Sequence, residues 1–137
     1  MKKLLILLFS ILISVNSYGD KVLYCSDEIV SGISFDNGEW KSQGYKPARV
    51  SIRFNDDYSQ VNGLKLLESD GHWNCKDSYG DPVHKTIVCF SPYDNGGIFL
   101  YHKDKKRYLY SLNLADAYID DNKKYDDFIR VGTCEDF

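Results

Sequence analysis

Four cysteines, three histidines and twenty carboxylates carry most of the chemistry open to this 137-residue chain. His72-x-x-Cys75, followed by His84 and Cys89, offers two imidazoles and two thiols, the ligand set of a tetrahedral zinc site. The spacing is not that of a zinc finger, and thiols in an oxidising compartment pair with one another instead. Two disulfides are therefore expected, with no metal and no other cofactor. Three pairings are possible. Cys75 with Cys89 suits two arms that flank a loop near Asp81-Pro82, and Cys25 with Cys134 would fasten the first strand to the last. Cysteines opposed at a non-hydrogen-bonded position of antiparallel strands have Cα atoms about 4.5 Å apart, within a disulfide's reach. With all four paired, no cysteine remains as a resting nucleophile. The chain has no Gly-x-Ser-x-Gly, no His-Glu-x-x-His and no phosphate-cradling glycine loop, so a catalytic role is not expected. The acids Asp120, Asp121, Asp126 and Asp127 lack the glycine and register of a calcium loop and read as a solvated connection.

The compartment is set by the first nineteen residues. Lys2 and Lys3 give a basic start, Leu4 to Val15 is apolar apart from Ser10 and Ser14, and Ser17 and Gly19 are small residues spaced for a cut after Gly19. That order is a secretory signal peptide. The apolar run falls short of the roughly 20 helical residues that span a bilayer, so no membrane attachment is expected after cleavage. The organisation expected is a signal over 1–19 and a single domain over 20–137, exported to a periplasm or to the medium. Without Lys2 and Lys3, 15 basic residues face 20 acidic ones, about −5, which argues against a nucleic-acid partner.

The elements that must position these residues read as short strands. Val22 to Tyr24 begins one, and alternating Ile29, Ile33 and Phe35 suggest another, with Gly32 as a bulge. Asn37-Gly38 tolerates the positive φ of a type I′ turn, so Phe35 and Trp40 should flank a hairpin. Val50, Ile52 and Phe54 alternate with polar residues, the mark of a half-buried strand. Further strands are expected over 60–68, with Gly63 as a second bulge, at 72–75, over 86–90 with both faces buried, over 98–102 and 107–114, and from Phe128 into Cys134. One helical turn is expected over 113–118. Turn signals recur every 8 to 12 residues, which indicates an all-β antiparallel barrel or sandwich of 8–10 short strands.

The hairpin over 98–114 has two unlike faces. A two- or four-residue turn sets Tyr101 against Tyr108 and Phe99 against Tyr110 on one side, and Leu100 against Leu109 and Ile98 against Ser111 on the other. Two alternatives stand. The aromatic face lines the core and a loop such as 116–127 covers the aliphatic one, or Phe99, Tyr101, Tyr108 and Tyr110 form an exposed platform for a partner.

Tyr24-Cys25, Gly38-Glu39-Trp40, Lys46-Pro47-Ala48-Arg49 and the close Gly132-Thr133-Cys134-Glu135-Asp136-Phe137 together resemble a group of small exported bacterial proteins of unassigned function. The resemblance implies export and a bacterial origin, and it carries no catalytic residue. The function expected is that of a non-catalytic binding or interaction protein whose partner is a protein or a small ligand. The alternatives are a small-ligand carrier that uses a barrel interior and an inhibitor of a secreted hydrolase.

Overall fold

Every described strand finds an antiparallel neighbour on each side except one. The computed structural model describes residues 19–36, 38–64, 71–78, 85–92, 96–112 and 125–137. They form β1 (Lys21–Asp36), β2 (Glu39–Gly44), β3 (Arg49–Phe54), β4 (Gln60–Asn62), β5 (Trp73–Asp77), β6 (Thr86–Phe90), β7 (Ile98–His102), β8 (Arg107–Leu112) and β9 (Tyr125–Asp136). The order is β2-β1-β3-β4-β5-β6-β7-β8-β9, and β1 also pairs with β9. Eight strands, β1 and β3 to β9, therefore close a barrel, while β2 extends the sheet beyond it. Closure removes the unpaired edges that an open sheet would carry.

One long strand makes this possible. The first half of β1 pairs with β3, Cys25 opposite Val50, and its second half pairs with β2, Phe35 opposite Trp40. Along its other side β1 pairs with β9 from Leu23 to Phe35, with a register shift between Asp27 and Ile29. The two strands expected here are thus one, and its bulge falls at Glu28 instead of Gly32. An extra residue shifts the side-chain alternation by one. Leu23, Cys25 and Asp27 point inward before it, and Val30, Gly32 and Ser34 after it. Gly32 answers a different need: a Cβ there would lie 2.0 Å from the carbonyl oxygen of Asp127.

Both expected disulfides are present, Cys25–Cys134 across β1–β9 and Cys75–Cys89 across β5–β6, each between residues paired in register. Around them Leu23, Ile52, Phe54, Val61, Trp73, Ile87, Phe99, Tyr101, Tyr108, Tyr110 and Leu112 form one buried cluster. The expected hairpin between Phe35 and Trp40 is present, with a φ of 79° at Gly38. Two expectations need correction. β6 is buried on one face only, Ile87 and Cys89 inward and Phe90 exposed, because a barrel has a wet outer side. The strand expected over 60–68 ends at Asn62, and Gly63, in place of a bulge, has a φ of 87°. The signal over 1–19, apart from Gly19, the loop about Asp81-Pro82, His84, the helical turn over 113–118 and the acids Asp120 and Asp121 lie outside the described residues.

Candidate functional site

The aromatic hairpin face turns inward. Phe99, Tyr101, Tyr108 and Tyr110 are opposed as the spacing predicts, Tyr101 to Tyr108 and Phe99 to Tyr110, but all four are at most 6% exposed. Phe99 stacks on Tyr108 at 5.9 Å, Phe54 lies 5.5 Å from Tyr101, and Tyr110 meets Trp73 edge-on at 5.6 Å. A platform needs exposed rings. These rings fill the barrel instead, since a small barrel has just enough interior for its own side chains. Burial raises the pKa of Tyr101, Tyr108 and Tyr110, and for Tyr108 a hydrogen bond to Asp27 adds to it.

At one end of this interior lies a polar cluster that composition does not announce. The Asp27 side chain, 1% exposed, accepts hydrogen bonds from the Tyr108 hydroxyl, from the backbone N–H of Ala48 at 2.7 Å and from Nη1 of Arg130 at 3.3 Å. Register explains the meeting. Asp27 is opposite Gly132 on β9, and Gly132 is opposite Tyr108 on β8. A Cβ on Gly132 would lie 2.9 Å from a ring carbon of Tyr108 and closer still to the Ser26 carbonyl, so only glycine lets the tyrosine reach across β9. Arg130 is opposite both Val30 and Tyr110. Asp27, Tyr108, Tyr110 and Arg130 surround a cavity of about 20 Å³, room for about one water. The Tyr110 hydroxyl and Arg130 Nε are buried there without a hydrogen-bond partner among the described residues. An inward carboxylate after Leu23 and Cys25 was the available signal, but only a known alternation reveals it.

The competing zinc set does not assemble among the described residues. Cys75 and Cys89 are bonded to each other, so neither offers a thiolate. His72 is exposed, and Nδ1 of His102 accepts the Lys105 backbone N–H at 3.3 Å, which caps the β7–β8 turn. At that turn Lys103 lies 3.4 Å from Asp77 and Lys85 lies 3.0 Å from Asp104, so Lys103 and Asp104 are paired at the surface.

The outer face of the arm formed by β1, β2 and β9 has the opposite character. Because of the bulge at Glu28, Ile29, Ser31, Ile33 and Phe35 share the outward side with Trp40 of β2 and with Ile129 and Val131 of β9, their register partners. Ile29 is 62% exposed, Ile33 44%, Trp40 43% and Ile129 43%. Phe35 is covered, its ring 4.9 Å from that of Trp40. Residues that alternation alone would send to the core stand in water. Clustered exposed apolar side chains of this kind mark contact surfaces more often than scattered ones do. No family model, no curated protein and no solved structure matches this chain.

Proposed function

We propose that the chain is an exported, non-catalytic interaction protein of an oxidising compartment, such as a bacterial periplasm, and that it engages a protein partner through the outer face of the β1–β2–β9 arm. The observation that carries the reading is the outward placement of Ile29, Ile33, Trp40 and Ile129 on one continuous face. Water contact at four large apolar side chains costs stability that burial against a partner would return. The two disulfides are consistent with an oxidising environment. They leave no free cysteine to act as a nucleophile, which supports the non-catalytic reading. The carrier reading has less support, because a ligand needs several hundred Å³ and the cavity among Asp27, Tyr108 and Arg130 holds about 20 Å³.

The test is site-specific photocrosslinking in the native host, with the photoreactive residue at position 33, 40 or 129 and a control at position 105 in the β7–β8 turn. The expected result is a discrete adduct from the arm positions, absent at 105 and abolished by Ile29→Lys. The same adducts at position 105, or none from any arm position, would overturn the proposal.

A further inference from the structure

On the outer side of the barrel seam, away from the apolar arm face, β1, β3 and β9 frame a groove of about 450 Å³, within the usual range for small-ligand sites. Its shape follows from register. Ser26 of β1 lies between Arg49 of β3 and Thr133 of β9, and the next outward row is Ser51, Tyr24 and Glu135. The short Ser26 leaves a hollow between longer neighbours, with its own hydroxyl and that of Thr133 in the lining. Cys25 and Cys134, bonded between these two rows, fix β1 to β9 beneath it. Tyr24 is half exposed, its ring held 5.6 Å from that of Phe137.

Two opposite charges line this groove without meeting. Arg49 and Glu135 both border it and both are exposed. Neither makes an ion pair or side-chain hydrogen bond with another described residue. They stand two strands apart and two residues out of step, which places their Cα atoms about 12 Å apart. A simple anion would meet Glu135, a simple cation would meet Arg49, and an apolar molecule would dehydrate both charges without return. A ligand with one charge of each sign satisfies the two at once. A chain of two or three residues spans roughly 7–10 Å, which fits between the two side chains, whereas a single amino acid holds its charges too close together.

We propose that this groove binds a short zwitterionic peptide of two or three residues. Its carboxylate receives the forked N–H donors of Arg49, its ammonium donates to Glu135, and its backbone lies over Ser26 against the Tyr24 ring. The site is independent of the apolar arm face, and Ile29→Lys leaves it unchanged.

The experiment is an NMR titration of the oxidised protein, followed at backbone amides, with triglycine, acetyl-triglycine, triglycine amide and maltose as probes. Triglycine should move the signals of Ser26, Thr133 and Glu135, with a millimolar Kd as expected of exposed charge pairs. Blocking the ammonium should weaken binding about fivefold in the wild type and not at all in Glu135→Gln, and blocking the carboxylate should do the same against Arg49→Gln. Both residues are exposed, so neither variant endangers the fold. Equal binding of free and blocked peptides, equal binding of maltose, shifts confined to other surfaces, or no shift with triglycine at about 50 mM would each overturn the proposal.

Discussion

Replacing Asp27 separates the two things its carboxylate supplies, acceptor atoms and charge. Asp27→Ala removes both. The Tyr108 hydroxyl and the Ala48 N–H lose their acceptor, and the Arg130 guanidinium, its side chain 21% exposed and its Nε without a hydrogen-bond partner among the described residues, is left uncompensated. Breaking a buried pair from one side costs about 3–5 kcal/mol, a large share of the roughly 5–15 kcal/mol of a whole domain. Asp27→Asn keeps more. Ala48 N–H and Arg130 Nη1 both converge on Oδ2, where the amide oxygen can sit, while the amide nitrogen takes the place of Oδ1 and donates to Tyr108, whose hydroxyl can accept. Only the charge is lost, at about 1–2 kcal/mol. Urea unfolding of the oxidised protein, followed by circular dichroism, reads the difference. With m of about 1–3 kcal/mol/M, the midpoint should fall by about 2 M for alanine and by less than half of that for asparagine. Adding Arg130→Met to Asp27→Ala should recover part of the loss, because the uncompensated charge goes with it. Asparagine as damaging as alanine, or alanine costing under about 1 kcal/mol, would refute the assignment of Asp27 as the acceptor that joins β1, β8 and β9.

Alkali should unfold the barrel in a defined window. Burial lifts the pKa of Tyr101, Tyr108 and Tyr110 above the ordinary 10.0, so the unfolded chain ionises first. Stability is then untouched below pH 10 and falls above it, with a slope that approaches about 4 kcal/mol per pH unit for three groups. Tyrosine absorbance and circular dichroism recorded together should show the last part of the absorbance change arriving with the loss of dichroism, and full ionisation near pH 10 with dichroism intact would contradict the burial. Tyr101→Ala should cost about 3–5 kcal/mol as a core truncation, while Ile129→Lys on the outer arm should stay within about 0.5 kcal/mol. Thermal unfolding ranks the two, and the reverse order would place the aromatic face outside.

Much of the barrel could be read from local pattern. Ile52 and Phe54 alternate with exposed residues as a half-buried strand must, the β7–β8 register follows from its four-residue turn, and two pairs of cysteines were placed by strand logic alone. Closure was legible only through the cysteines, because a barrel and a sandwich share the same local periodicity and differ in whether β1 meets β9, a contact that the Cys25–Cys134 bridge alone signals across 109 positions. The outer apolar face was hidden by one residue. Glu28 shifts the alternation of β1, so Ile29 and Ile33 face water and Phe35 lies on the same outer side, covered by Trp40, while Gly32 and Ser34 face inward. Period-2 reasoning cannot detect such a shift, since each half of the strand keeps a perfect alternation. Asp27, which lies before that shift, escapes notice for a different reason. In a chain with twenty acids, a carboxylate is notable only once its side of the sheet is known.

The pairing of β1 with β9 also dictates an order of events. Whether the chain leaves a ribosome or a translocation pore, β1 emerges first and its seam partner last. Until Cys134 arrives, Cys25 has no native mate, whereas Cys75 can meet Cys89 only 14 positions later. During that interval an oxidant can join Cys25 to either of the two nearer cysteines. Long-range closure is slow relative to local hairpins, so the wait exposes one long strand with partners missing on both sides. The hairpin between Phe35 and Trp40 shortens that exposure by giving the second half of β1 a neighbour only three positions after Asp36.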